Sequence, residues 1–157
     1  MSGSKSKNVF LFVLLCEAAG LVSGLITRGG AILYAESAVK PFLSPPGVVF
    51  PIVWTVLYAL MGVGAGLVAS TDPGAKRTAA LRLFGLQLAV NFFWSVIFFN
   101  MRAYGAALLW LFVLLFLVIA LFRAYLGTVR TAAYLLIPYL VRVAFAGYLN
   151  AGVWILN

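Results

Sequence analysis

The chain has 157 residues, of which 65% are apolar and 9% are charged, with a formal net charge of +8 and a mean hydropathy of +1.12. Soluble domains have about 45–50% apolar and about 25% charged residues, so this composition excludes an ordinary soluble protein and predicts one integral membrane domain over residues 1–157. With no histidine, one cysteine and three acidic residues, the chain is expected to have no internal disulfide and no zinc, di-iron or imidazole-based site.

Five apolar segments are long enough to cross a bilayer, which takes about 20 residues. They cover approximately residues 9–26, 47–69, 79–99, 104–124 and 131–155. The predicted fold class is therefore an all-α integral membrane protein, a bundle of five transmembrane helices. Its first loop, residues 27–46, is long and ends in the rigid pair Pro45-Pro46. A long ordered loop in a compact protein is typical of a lid or a binding element.

The basic residues between the spans predict the orientation. Seven fall on the side of the N-terminus and three on the other: Lys5, Lys7, Lys76, Arg77, Arg82, Arg123 and Arg130 against Arg28, Lys40 and Arg102. Because the cytoplasmic side carries the excess of Lys and Arg, we expect the N-terminus in the cytoplasm, although dual insertion or an organellar membrane could invert this orientation. The expected location is a bacterial cell membrane. The basic residues are scattered, so we expect them to contact membrane lipid and not nucleic acid.

Two ionisable side chains lie within predicted spans, where lipid would reject them. Glu17 falls near the middle of the first span and Arg142 near the middle of the fifth. Such groups cost at least about 2.5–3.5 kcal/mol at a helix centre, so both should face the bundle interior. Their predicted depths agree within about one turn. They could pair with each other, touch water separately, or leave Arg142 free to bind a ligand carboxylate.

Polar and aromatic residues recur at helical spacing on three spans. Gln87, Asn91 and Trp94 share one face of the third span, at i, i+4 and i+7. The other two faces comprise Trp54, Tyr58 and Ala65 in the second span and Tyr139, Arg142, Ala146 and Asn150 in the fifth. Apolar walls with a few polar groups are typical of a ligand pocket, although amide side chains in a span also serve simply to join helices.

Three motifs in order resemble one known family. They are KPFLSPPGVVFPIVWTVLYALMG at residues 40–62, QLAVNFFWSVIFF at residues 87–99 and LLIPYLVRVAFAGYLNAGVWILN at residues 135–157. This arrangement is similar to the translocator protein and tryptophan-rich sensory protein family, TspO/MBR, over about residues 10–157. The resemblance implies a five-helix bundle, usually a homodimer, that binds tetrapyrroles such as protoporphyrin IX, sterols and synthetic ligands in a pocket between the helices under the first loop.

Carried over position by position, the resemblance implies a set of pocket residues. They are Tyr34 and Pro45 of the loop, Phe50, Trp54 and Tyr58 of the second span, Asn91, Phe92 and Trp94 of the third, and Arg142 and Ala146 of the fifth. The chain departs from the family at Leu43 and Arg142, where a Trp is usual. Because no histidine is present to ligate haem iron, a metal-free porphyrin is the expected ligand, with no obligatory cofactor.

Three functional interpretations follow. The first is a membrane sensor or carrier that binds tetrapyrroles and related hydrophobic ligands. The second is a transporter of small molecules or drugs that uses Glu17. The third is a light-dependent porphyrin-degrading protein, as described for some bacterial members. The last requires pocket tryptophans, of which only Trp54 and Trp94 stand at the family's positions. No catalytic residue is predicted.

Overall fold

A computed structural model describes residues 2–157, and within that range the chain is built from helices. In order they are α1 (Ser2–Ser37), α2 (Val49–Ala69), α3 (Ala75–Ser95) followed by a π-helical turn (Val96–Asn100), α4 (Tyr104–Leu126), α5 (Arg130–Leu135) and α6 (Ile137–Leu156). The turn continues α3, and α5 and α6 together form one span. Five segments of the described chain are thus long and apolar enough to cross a membrane, which confirms the predicted fold class.

The first helix is longer than predicted, and the prediction of a long loop over residues 27–46 is wrong. The chain stays helical to Ser37, so the connection to α2 is residues 38–48. Tertiary contacts support the extra turns. Gly30 packs directly against the Phe99 backbone of the π-helical turn, where a Cβ atom would overlap it, and Asn100 donates from Nδ2 to the Ile26 carbonyl over 3.2 Å. Tyr34, predicted on the loop, therefore lies on α1.

The fifth span is interrupted at Leu136, between α5 and α6. Pro138 follows two residues later and is the cause, because proline has no N–H to donate and its ring crowds the carbonyl four residues earlier. Helical bonding resumes where the Leu140 amide donates to the Leu136 carbonyl over 2.8 Å.

Glycines bring α1 against α2. A Cβ atom at Gly62 would overlap the backbone of Val13, and one at Gly66 would overlap that of Val9. Small residues at four-residue spacing allow such close approach of helices. This pair therefore serves packing within the bundle, with α1 antiparallel to α2. The largest fully buried side chains lie on α2 and the later helices, among them Met61, Leu114, Tyr125 and Tyr139.

Candidate functional site

The larger of two neighbouring cavities lies between α1, α2 and the end of α3, and we call it the α1–α2 cavity. Its volume is about 650 Å³, and its lining includes Glu17, Ser23 and Thr27 of α1, Phe50, Trp54 and Tyr58 of α2, and Asn91, Ser95 and Phe99. Exposed residues from both helices, such as Leu21 and Thr55, also line it. The cavity therefore opens between α1 and α2 toward the surrounding lipid.

The smaller cavity lies beneath residues 38–48, and we call it the loop cavity. Its volume is about 190 Å³. Its lining includes Tyr34 of α1, Lys40, Ser44 and Pro45 of the loop, Trp94 and Phe98 near the end of α3, and Arg142, Ala146 and Asn150 of α6. Ala31, Phe50 and Phe99 line both cavities, so these three side chains form the wall between them.

The structure divides the predicted pocket between these two cavities. Trp54, Tyr58 and Asn91 line the α1–α2 cavity, Tyr34, Pro45, Trp94, Arg142 and Ala146 line the loop cavity, and Phe50 lines both. Phe92 lines neither and instead packs edge-to-face on Phe93 at 5.4 Å. Leu43, which stands where the family usually has Trp, is 63% exposed and also lines neither.

Arg142 has an aromatic cage and an unused donor. Its Cζ lies 5.6 Å from the Phe50 ring centroid, 6.0 Å from that of Trp54 and 5.4 Å from that of Phe145, distances at which ring faces attract a guanidinium. Its Nη1 is buried without a hydrogen-bond partner. A buried donor on a cation is costly to leave unpaired, so this N–H group is suited to donate a hydrogen bond to an anionic partner.

Glu17 and Arg142 do not pair. They line different cavities, and no ion pair joins them among the described residues. Trp54 lines the α1–α2 cavity together with Glu17, and its ring centroid lies 6.0 Å from Arg142 Cζ. Equal depth along two helices does not determine the direction in which each side chain points around its helix axis.

A buried chain of hydrogen bonds joins α2, α3 and α6. The Tyr58 hydroxyl donates to Asn91 Oδ1 over 2.9 Å, and Asn91 Nδ2 donates to the Tyr139 hydroxyl oxygen over 2.7 Å. The Tyr139 hydroxyl in turn donates to Gln87 Oε1 over 2.9 Å. The inward face predicted for the third span is confirmed, since Gln87, Asn91 and Trp94 are all buried. Because its amide is already engaged, Asn91 has a structural role as well as a place on the cavity wall.

A second set of polar contacts holds one wall of the loop cavity in place. Trp94 Nε1 donates to Asn150 Oδ1 over 3.2 Å, and Asn150 Nδ2 donates to the Tyr104 carbonyl over 2.7 Å. The Trp94 ring also stacks on Phe98 at 5.1 Å. These contacts hold one wall of the cavity in a defined position before any ligand binds.

The loop over the smaller cavity is anchored to α6 and the residue that follows it. The Val39 amide donates to Asn157 Oδ1 over 2.9 Å, and Asn157 Nδ2 donates to the Val39 carbonyl over 2.8 Å. Nearby, the Tyr148 hydroxyl donates to the Phe42 carbonyl over 2.7 Å. Pro41 packs on Gly152, where a Cβ atom would lie only 2.5 Å from the proline ring. The loop is thus held closed over the cavity.

Several lining residues lie outside the set predicted from the sequence. Ser23 and Thr27 lie four residues apart on the face of α1 that lines the α1–α2 cavity, and both are buried. Small polar residues at this spacing in an apolar helix indicate an inward face, and that signal was available. Lys40 and Ser44 had no such signal, because irregular loop structure gives no periodicity.

Comparison with known proteins matches this sequence to one family. The chain matches the TspO/MBR family over residues 12–155. It is 35% identical to the tryptophan-rich protein TspO of Chlorobaculum tepidum over 150 residues, 94% of each chain. It is 34% identical to the translocator protein of Bos taurus over 145 residues, covering 91% of this chain and 86% of the relative. With the tryptophan-rich sensory protein of Cereibacter sphaeroides the identity is 36% over 142 residues, 90% and 87% of the two chains. The chain therefore belongs to the TspO/MBR family of multi-pass membrane proteins.

Proposed function

We propose that this protein is a membrane sensor or carrier that binds flat, apolar, carboxylate-bearing molecules of the tetrapyrrole class, such as protoporphyrin IX, inside the helix bundle. The observation that carries the proposal is the Arg142 guanidinium, whose buried Nη1 has no partner at the edge of the loop cavity. A ligand carboxylate would supply a charge-assisted hydrogen bond there, and arginine suits carboxylates by its planar geometry.

Cavity size supports a binding mode that uses both cavities. Ligand pockets are about 300–1,000 Å³, so the loop cavity at about 190 Å³ is too small alone, whereas the α1–α2 cavity at about 650 Å³ is large enough. We place the ring system in the α1–α2 cavity, against Trp54 and Tyr58, with a carboxylate reaching past Phe50 to Arg142. Movement of the Phe50 side chain would join the two spaces.

The available side chains favour a porphyrin without iron. The chain has no histidine, the usual proximal ligand of haem. The Tyr58 hydroxyl on the cavity wall already donates to Asn91, and neither Met61 nor Cys16 lines either cavity. Binding would therefore rest on stacking against aromatic rings and on the carboxylate contact.

The names of relatives support a sensory or carrier role. One relative is a tryptophan-rich sensory protein, and another, from Bos taurus, is a translocator protein. We further propose a cytoplasmic N-terminus, on the excess of basic residues on that side, and a bacterial cell membrane, on the bacterial relatives. A homodimer is proposed on the family resemblance. Accessibility labelling of a Cys introduced near Lys5 and cross-linking in membranes test the orientation and the homodimer, respectively.

A titration with protoporphyrin IX in the dark tests the binding function. Purified protein in detergent should bind the porphyrin saturably, followed by its absorbance and by quenching of tryptophan fluorescence. Arg142→Ala should weaken binding by about 10- to 100-fold, the range for a hydrogen bond to a charged group. Arg123→Ala is the matched control, because Arg123 is exposed and lines neither cavity. Absence of saturable binding, or equal affinity in all three proteins, would refute the proposal.

A further inference from the structure

The two cavities differ in the sign of their charge. The α1–α2 cavity has one carboxylate, Glu17, and no basic residue in its lining. The loop cavity has the opposite pattern, with Lys40 and Arg142 and no acidic residue. This difference in charge holds for residues 2–157, which the structure describes. The loop cavity therefore suits an anionic group of a ligand, whereas the α1–α2 cavity suits a cationic one.

We infer that the α1–α2 cavity is a binding site for lipophilic organic cations, with Glu17 as the counter-ion and Trp54 and Tyr58 as the aromatic wall. This goes beyond the proposed function, because it requires neither a carboxylate on the ligand nor Arg142. A cation and a porphyrin ring would occupy the same space and exclude each other.

The position of Glu17 supports a cationic occupant. A carboxylate inside a membrane span is unfavourable unless it is paired or reaches water, and Arg142 lines the other cavity. The other polar groups on the wall are already engaged in part: the Thr27 hydroxyl donates to the Ser23 carbonyl over 2.8 Å, and Tyr58 donates to Asn91. Glu17 is therefore the charged group left to neutralise.

The aromatic wall supports the same ligand class. The Trp54 and Tyr58 rings lie 5.6 Å apart with an angle of 37° between their planes, and both line the cavity. Faces of Trp and Tyr attract cations, most strongly where water is excluded. An organic cation with an apolar body would thus find both a counter-charge and ring faces, and it would reach them from the bilayer through the opening between α1 and α2.

Glycine on α1 leaves room for the ligand. At Gly20 a Cβ atom would lie 2.5 Å from Tyr58 Cε2, so this glycine permits the approach of the tyrosine ring. At Gly24, which also lines the cavity, nothing lies within 4 Å of such an atom. A larger side chain at Gly24 would therefore begin in open space and take up part of the cavity. Gly29 has the same free space on α1 but lines neither cavity.

Equilibrium dialysis of tetraphenylphosphonium against purified protein, corrected for uptake by empty micelles, tests the inference. We expect saturable binding that Glu17→Gln weakens at least about tenfold and that Glu17→Asp largely retains. Gly24→Leu should abolish binding, whereas Gly29→Leu, the matched control, should bind as the unaltered protein does. The neutral analogue triphenylphosphine oxide should not distinguish Glu17→Gln from the unaltered protein.

Two results would overturn the inference. One is the absence of saturable tetraphenylphosphonium binding to the unaltered protein; the other is an affinity in Glu17→Gln within twofold of the unaltered value. The porphyrin titration of the unaltered protein tests the proposed function separately. A protein that binds porphyrin but not the phosphonium would therefore remove this inference alone.

Discussion

Replacing Tyr139 with Phe removes one hydroxyl from the buried chain of hydrogen bonds that joins α2, α3 and α6. Tyr139 is fully buried, and its hydroxyl accepts from Asn91 and donates to Gln87. The variant keeps the ring and its packing but leaves a buried amide N–H and a buried amide carbonyl without their partner. Tyr125 provides a matched control, because it is equally buried and its hydroxyl has no hydrogen-bond partner.

The expected cost follows from these bonds. Hydrogen bonds between side chains in membrane proteins contribute about 0.6 kcal/mol each, so the two lost bonds set a lower bound of about 1 kcal/mol. Leaving buried groups unpaired raises the loss to about 3 kcal/mol. At about 2–4 °C per kcal/mol for a chain of this size, Tyr139→Phe should lower Tm by about 2–12 °C. Tyr125→Phe should be neutral or slightly stabilising, since it removes a hydroxyl that is buried without a partner.

The single cysteine of the chain provides the assay. Cys16 is fully buried, so a fluorogenic maleimide reacts with it only when the protein unfolds, and its signal during heating reports Tm in detergent. The quantity to compare is the loss of Tm in Tyr139→Phe against that in Tyr125→Phe. A Tm loss in Tyr139→Phe no larger than that in Tyr125→Phe would refute the role assigned to the hydrogen-bond chain.

Two further predictions concern the helix contact and the loop. Gly62→Ala should destabilise the protein by about 1–3 kcal/mol, because the added Cβ atom would overlap the α1 backbone at Val13. Gly85→Ala is the control: its Cβ atom would meet nothing within 4 Å, so this variant should stabilise α3 by about 0.5–1 kcal/mol. The thiol assay measures both, and equal Tm values would contradict the packing account. Asn157→Ala should speed hydrogen exchange in residues 38–48 by removing both contacts to Val39, as measured by mass spectrometry; exchange at the unaltered rate would show that the loop does not depend on them.

The number and placement of the spans could be predicted from the sequence because hydropathy is a local property. The length of α1 could not, because its last turns depend on distant contacts. Residues 27–37 contain two adjacent glycines, Gly29 and Gly30, which in isolation indicate a break. In the folded chain Gly30 packs against the backbone at Phe99, and this tertiary contact outweighs the local preference.

The candidate site was predicted as one pocket, whereas the structure divides the predicted residues between two neighbouring cavities. Helical spacing identified the inward residues, including Trp54, Asn91 and Trp94, because periodicity determines which face of a helix is buried. It did not determine that Phe50 and Phe99 stand between the cavities, because that depends on how three helices meet. For the same reason the sequence left open whether Glu17 and Arg142 pair.

Binding of a ligand carboxylate by Arg142 can be tested by comparing protoporphyrin IX with its dimethyl ester. The ester has the same ring but no carboxylate. We therefore compare the affinity of both compounds for the unaltered protein and for Arg142→Ala, in the manner of a double-mutant cycle. If Arg142 binds the carboxylate, Arg142→Ala should weaken binding of the free acid by about 10- to 100-fold. Its affinity for the ester should stay within about twofold of that of the unaltered protein. An equal loss for acid and ester would contradict carboxylate binding, because the arginine would then act through packing and not through the carboxylate.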